Sequence, residues 1–363
     1  MSALTFQAQG GQQEALPLSM LSQRRVGVAG CGVITPAFGS AKVLADSLRP
    51  GWTHPASVYR RTLPVEQLNS ASGLAPRVTK KVDRFSLLGV AAARAALSEA
   101  GLDMGEVAQC GIVTGNMMAG WTFTETQLRT LHERGVECIS PYLATAWFPA
   151  APQGQITINL RMRGFAKTLT TDRCAGVQSI GLAYDTIRSG RADLLLAGGV
   201  EAPVTPFVES AFAQMGGAAS ELVEAAAYLL LSSEISAGTL VGFHSTFPLP
   251  YSHASLMEVV TNHVEKLARS LPERWPVKTV VCNIPASAPF EMDMASLLKA
   301  ALQNPDLRPI FSTRMVGECL AASGAVAAVI AHEMLKSEGA FSSALVLSVG
   351  HQCGDLLWMY HAP

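Results

Sequence analysis

One pattern occurs twice along this chain and constrains its fold more than any other feature. A turn carrying Cys174 leads into a helix of small residues and then into the apolar strand 193-DLLLAGG-199. A turn carrying Cys319 leads into 321-AASGAVAAVIAHEML-335 and then into 344-ALVLSVG-350. Strands that read as unbroken apolar runs are covered on both faces, and Ala- and Gly-rich helices allow backbones to approach closely. The repetition predicts an α/β chain made of two similar halves.

The remaining segments fit that reading. Strands are expected at 26-VGVAGCGVIT-35, 110-CGIVTG-115 and 165-FAKTLTT-171, and helices at 85-FSLLGVAAARAALSEAGL-102, stopped by Gly101, and 123-FTETQLRTLHERG-135. Strands alternating with helices of this length indicate a layered α/β fold with mainly parallel strands. The halves are expected at 25–205 and 206–363, after a poorly ordered extension over 1–24 that is rich in Gln and Gly.

Composition removes several function classes. With 363 residues, 49% hydrophobic, 15% charged and a formal net charge of −1, the chain is neither a disordered polymer nor a polycationic nucleic-acid binder. Apolar stretches such as 225-AAAYLLL-231 are far shorter than the ~20 residues of a bilayer span. No nucleic acid and no membrane is therefore expected as a partner. The extension lacks the basic stretch and cleavage pattern of a secretory leader. Seven cysteines, at 31, 110, 138, 174, 282, 319 and 353, form no CxxC pair, which predicts reduced thiols, a cytoplasmic location and no structural zinc. None of the eight histidines falls at metal-ligand spacing, and 198-GGVEA-202 merely ends a strand, so neither metal nor cofactor is expected. His332, on an otherwise apolar helix, reads as a surface or satisfied core residue.

The segment 164-GFAKTLTTDRCAGVQSIGLAYDTIRSGRADLLLAGGVEA-202 resembles the nucleophile region of the β-ketoacyl synthases, the condensing enzymes of fatty-acid and polyketide assembly. The resemblance extends to 26-VGVAGCGVITP-36, 83-DRFSLLGVAAARAALSEAGL-102, 112-IVTGN-116 and 313-TRMVGECLAASGAVAAVIA-331, and so covers most of residues 25–360. More particularly, 141-PYLATAWFPAAPQGQITINLR-161 is similar to the chain-length factors, the non-condensing partners of active ketosynthases in type II polyketide systems. The resemblance implies a thiolase-like, five-layered αβαβα fold and a dimer across the nucleophile strands.

A condensing synthase needs a thiolate at a strand-to-helix turn and two histidines that stabilise developing negative charge. In the family the nucleophile stands nine residues after the glycine that opens this segment, which here is Arg173, between Asp172 and Cys174. Cys174 is one residue late, and one step at a helix start turns a side chain by ~100°. It reads as a small packing residue rather than a shifted nucleophile. Asn283 takes the place of the first family histidine, Glu318 that of the second, Thr313 that of the conserved lysine, and His351 that of the gating phenylalanine. Between Pro206 and Glu224 the chain is also short, where the family carries a loop that caps the site. Arg173, Asn283 and Glu318 are expected to converge, with Glu318 paired bidentately to Arg173 and Asn283 or Asp172 completing the hydrogen bonds, a plug in the old pocket.

By the same resemblance, Trp121, Thr124 and Leu128, on one face of a helix, line the path of a growing chain, flanked by Met117 and Met118. The implied function is a catalytically silent subunit that heterodimerises with an active ketosynthase and shapes the tunnel for chains delivered on an acyl carrier protein. A divergent condensing enzyme or acyltransferase using Cys174, and a homodimeric thiolase-fold scaffold, are the alternatives. Chain-length factors generally carry Gln at the nucleophile place, so a decarboxylation-assisting role for that Gln does not carry over to Arg173.

Overall fold

A computed structural model describes residues 24–48, 60–285 and 288–363. The expected 1–24 extension lies outside the described residues except for Arg24, which pairs with Asp193. Ten strands form one continuous mixed sheet. They are β1 (Val26–Ile34), β2 (Gly111–Asn116), β3 (Ala166–Thr170), β4 (Leu194–Glu201) and β5 (Ala225–Ser232), then β6 (Gly238–Pro248), β7 (Val277–Asn283), β8 (Ile310–Phe311), β9 (Ser343–Val349) and β10 (Cys353–Ala362).

The strand order β3-β2-β4-β5-β1-β6-β10-β9-β7-β8 contains the duplication. The first five strands run 3-2-4-5-1, and the last five, counted from β6 and read from the opposite edge, run 3-2-4-5-1 again. The two half-sheets join only through the short β1–β6 pairing of Val26 with Val241 and Gly27 with Leu240. In each half a parallel trio (β3, β2, β4; β8, β7, β9) is extended by an antiparallel pair. The topological repeat passes from one half to the other between Ser232 and Gly238. β5, which follows position 205, is hydrogen-bonded between β4 and β1.

Alternation along the strands produces the layers. In β5, Ala225, Ala227, Leu229 and Leu231 face a central core, whereas Ala226, Tyr228 and Leu230 face an outer one under the helices Arg84–Ala100 and Ala151–Leu160. In β9, Ala344 and Val346 face the same central core, and Leu345, Leu347 and Val349 face a second outer core under His253–Ser270 and Ala288–Ala301. The helices Ala175–Arg188 and Ser323–Glu338 fill the central layer, buried from both sides. Their small residues are required by distance: a Cβ on Gly176 would come within 2.6 Å of the Ala321 carbonyl oxygen. The result is the five-layered, thiolase-like α/β arrangement expected from the sequence. Gly101 ends its helix in the left-handed region, at φ 68°. No helix among the described residues is long and apolar enough to cross a membrane.

Candidate functional site

The residues singled out in the sequence gather at the C-terminal ends of the parallel strands. β3 ends at Thr170, and the turn after it carries Asp172, Arg173 and Cys174 into the helix Ala175–Arg188. Asn283 is the last residue of β7 and pairs in register with Ser348 near the end of β9, after which come Gly350 and His351. Glu318 lies between the short helix Ser312–Val316, which carries Thr313, and the 3-10 turn Leu320–Ala322.

Within this constellation Arg173 and Glu318 form a direct ion pair through Nη2 and Oε2. Their side chains are only 11% and 5% exposed, so both charges are largely withdrawn from water. The remaining Glu318 oxygen accepts from the Leu320 backbone N–H at 2.9 Å. The backbone of Glu318 is fixed as well: its N–H donates to the Glu221 carbonyl at 2.8 Å, and its carbonyl accepts from Val223 at 2.9 Å. Glu318, held by two backbone bonds and one to its carboxylate, thus meets the Arg173 guanidinium.

The expected completion of this pair does not occur. Its contact is through one nitrogen and one oxygen, and Arg173 Nη1 is buried with no hydrogen-bond partner. Asp172 turns away to accept from the backbone N–H groups of Cys174 at 2.9 Å and His351 at 2.7 Å, the first a local turn bond to the residue two positions on. Asn283 is fully buried and donates to the Ser348 hydroxyl at 3.1 Å, while its Oδ1 has no partner. Thr313 donates to the Ile284 carbonyl at 3.2 Å. The His351 side chain is exposed, its ring edge-on to Tyr251 with centroids 6.0 Å apart.

Cys174 is fully buried and caps the helix. Its contact with Cys353 and then burial, with Asp355 and Asp172 adding, push its thiol well above the ordinary range. A nucleophile needs the opposite environment, since it is the thiolate that attacks. The helix N-terminus favours a thiolate here, but the neighbouring carboxylates and the dry surroundings outweigh it.

Sequence reasoning missed the polar network beneath this turn. Buried Asp355 accepts from Thr246 Oγ1 at 2.5 Å and Gln178 Nε2 at 3.1 Å, and stands 3.1 Å from His244 Nε2. It also missed two buried carboxylates that fix the next segment. Glu201 accepts from the Met117 and Met118 backbone N–H groups at 2.5 and 3.1 Å, and burial pushes its pKa up to about 8. Asp83 accepts from Phe85 and Phe123 at 2.9 and 2.6 Å, and burial raises it to about 6. Acidic residues inside the apolar frames around 83 and 201 were the available signal. His332 corrects the sequence reading: it is neither a surface nor a satisfied residue, because it is buried with Nδ1 unpartnered, and burial lowers its pKa to about 3.

Those two carboxylates anchor the start of the helix Trp121–Arg134. Trp121 stacks on Phe207 of the same chain with centroids 4.7 Å apart, and packs with Met117, Met118 and Leu320 in one small cluster. Thr124 is buried and donates to the Gly120 carbonyl at 2.5 Å; Leu128 is 36% exposed. The stripe therefore runs from the loop bearing Glu318 out to the surface. On the adjacent face of the helix an open cleft of about 420 Å³ is lined by Glu125, Arg129 and Thr205 among others.

Residues 23–228 match the family model of the β-ketoacyl synthase N-terminal domain. The 3-oxoacyl-[acyl-carrier-protein] synthase 2 of Staphylococcus aureus (strain COL) is 26% identical over 205 residues, covering 53% of this chain and 49% of that protein. The actinorhodin polyketide β-ketoacyl synthase 2 of Streptomyces coelicolor is 30% identical over 191 residues, covering 50% of this chain and 47% of that protein. The match thus spans about half the length of these curated relatives. A type II polyketide acyl-carrier protein in complex with its ketosynthase contains a chain that superposes with a TM-score of 0.76 at 24% identity, covering 93% of this chain and 99% of that one. The ishigamide ketosynthase/chain length factor superposes with a TM-score of 0.76 at 18% identity, covering 94% and 100%. At these identities the two structures establish the shared fold.

Proposed function

The chain belongs to the β-ketoacyl synthase family, and from that premise we propose that it is a silent member of it, a chain-length-factor-type subunit that pairs with an active ketosynthase. The observation that carries the reading is the buried Arg173–Glu318 pair at the place where the family presents a nucleophile and a histidine. Arg173 carries no thiol, and the thiols of the sequence neighbours Cys174 and Cys319 are both pushed well above the ordinary range, Cys174 chiefly by its contact with Cys353 and then by burial, Cys319 chiefly by burial. The enolate formed when a malonyl unit loses carbon dioxide needs hydrogen-bond donors free to receive it. Thr313 is engaged within the chain, and the Asn283 amide nitrogen donates to Ser348.

In this reading the partner performs decarboxylative Claisen condensation on carrier-bound units, and this chain contributes a wall of the tunnel through Trp121, Thr124 and Leu128, with Met117 and Met118 behind them. Two surface features support an assembly. β3 is an edge strand of the described sheet, with β2 as its single neighbour, and such an edge is a template for pairing. Leu128, Leu131, Tyr142, Trp147 and Phe148 are exposed on the segments that follow β2. Kinship with the ishigamide ketosynthase/chain length factor in fold favours a ketosynthase over a second copy of this chain as the occupant of that edge.

The test is co-expression of the full chain with candidate ketosynthases, followed by incubation with malonyl- and acyl-carrier thioesters and intact-mass measurement of each subunit. The expected result is a copurifying pair in which acyl mass appears on the ketosynthase alone. A stable acyl adduct on Cys174 would overturn the silent reading in favour of a divergent acyltransferase. A homodimer that no ketosynthase enters would leave a scaffold.

A further inference from the structure

Two sulfurs and a carboxylate from distant parts of the chain meet beneath the Arg173 turn. The Cys174 and Cys353 sulfurs and an Asp172 oxygen all lie within 4.8 Å of one another. Cys353 Sγ stands 3.6 and 3.8 Å from the two Asp172 oxygens. A tetrahedral zinc, with bonds of about 2.3 Å to sulfur and about 2.0 Å to carboxylate oxygen, implies sulfur–oxygen edges of roughly 3.5 Å. The folded chain therefore already holds Cys353 and Asp172 close to such an edge, with the Cys174 sulfur within 4.8 Å of both.

We propose that Asp172, Cys174 and Cys353 form a binding site for a thiophilic divalent cation, zinc above all. Two thiolates and one carboxylate suit zinc and disfavour magnesium and calcium, which take oxygen ligands. Three protein ligands leave one position for a solvent molecule.

Each ligand is supported from outside the site. Asp172 is oriented by the backbone N–H groups of Cys174 and His351. Gln178 Nε2 lies 3.3 Å from Cys353 Sγ, where an N–H donor stabilises a thiolate, and Gln178 is itself fixed by Asp355 at 3.1 Å and by the Thr171 hydroxyl at 2.8 Å. Cys174 stands at the N-terminus of a 14-residue helix beside Asp172 and Asp355, where a bound dication would supply the positive charge that a thiolate needs. Asp172 and Cys353 are half-buried, which gives an ion a way in from the loop before β10. Binding releases two thiol protons to solvent, forms two metal–sulfur bonds and one metal–oxygen bond, and breaks the contact between Cys174 Sγ and the Cys353 carbonyl. No oxidation is involved. The ion would bond the turn after β3, in the first half, to the first residue of β10, in the second.

A second cluster, Cys31, His332 and Glu333, is also compact. There Lys336 Nζ already lies 3.0 Å from Glu333 and 3.2 Å from Glu99, so an ammonium supplies the positive charge. The two clusters make the test discriminating.

The full chain, reduced and freed of metal by a chelator, is titrated with Co²⁺ and then with Zn²⁺, with circular dichroism to confirm the fold. One equivalent of cobalt is expected to bind with a near-ultraviolet thiolate-to-metal charge-transfer band that zinc abolishes. Cys353→Ser and Cys174→Ala should each remove at least half of the band. Gln178→Ala should keep the band but weaken binding about tenfold, as the loss of a supporting hydrogen bond does. His332→Ala should change neither. No saturable binding to a folded chain overturns the proposal, as does a band that keeps more than half its intensity in Cys353→Ser or disappears with His332→Ala. A Cys174–Cys353 disulfide in protein kept under reductant also overturns it.

Discussion

Arg173 Nη2 contacts Glu318 Oε2 across 145 positions of sequence, and the pair occupies the point where the two halves of the fold turn their strand ends toward each other. Burying two opposite charges is costly, and their attraction offsets this only while both are present. Glu318→Ala is therefore expected to destabilise the chain by about 3–5 kcal/mol, because it leaves a buried guanidinium without a partner. The double variant Arg173→Met with Glu318→Leu should recover most of that loss. Denaturant unfolding of the wild type, both single variants and the double variant closes the cycle. A Glu318→Ala protein as stable as wild type would remove the pair from the account.

Thiol chemistry should follow burial. Cys138 is exposed and Cys353 half-buried, whereas Cys174 is fully buried with its thiol held protonated. Alkylation of the native, metal-free chain followed by peptide mapping is expected to mark Cys138 first and Cys174 only after unfolding. Rapid labelling of Cys174 under native conditions contradicts that environment.

Glu201 gives a pH dependence of definite sign. Burial raises the pKa of its carboxyl from an ordinary 4.5 to about 8, so the folded state binds the extra proton between those limits. Stability from this group is fully present below pH 4.5 and falls as pH rises to 8, at up to about 1.4 kcal/mol per pH unit. Glu201→Gln retains an acceptor for Met117 and Met118 and lacks that slope, so it should gain on wild type steadily between pH 5 and 8 in thermal unfolding. Parallel curves for the two proteins count against a neutral carboxyl.

His332 acts in the opposite direction. Burial lowers its folded pKa to about 3 from an ordinary 6.5, so the unfolded chain binds the extra proton between them. Stability is present above 6.5 and is lost as pH falls toward 3, again by up to about 1.4 kcal/mol per unit. His332→Phe should open a gap over wild type that widens below pH 6.5. Because Glu201 and His332 oppose each other between 4.5 and 6.5, the difference between variant and wild type is the informative quantity.

Trp121 links stability to the proposed role. Trp121→Ala removes the stack on Phe207, worth about 1 kcal/mol beyond the area it buries, and enlarges the wall beside Met117 and Met118. In a reconstituted pair with an active ketosynthase, product analysis by mass spectrometry is expected to show a shift toward longer chains. An unchanged product distribution from a folded, copurifying variant separates Trp121 from chain length.

The sequence by itself determined the elements and their duplication. Apolar runs such as 193-DLLLAGG-199 and 344-ALVLSVG-350, each following a turn and a small-residue helix, read as buried strands of two similar halves. The family resemblance that the sequence carries also implies that Arg173, Asn283 and Glu318 stand where the family has chemistry-bearing residues, an expectation that needs no coordinates. Tertiary structure alone decided who pairs with whom. Asp172 was open to Arg173 on sequence and instead accepts from the backbone amides of Cys174, two residues on, and of His351, 179 positions away in the other half. Asn283 went to Ser348 because β7 and β9 run in parallel register. Cys174 and Cys353 lie 179 positions apart, and no spacing rule joins them; the sheet order brings β10 to the start of a helix from the other half. Local pattern follows from short-range sterics and hydrophobic period, whereas these contacts depend on how the layers stack.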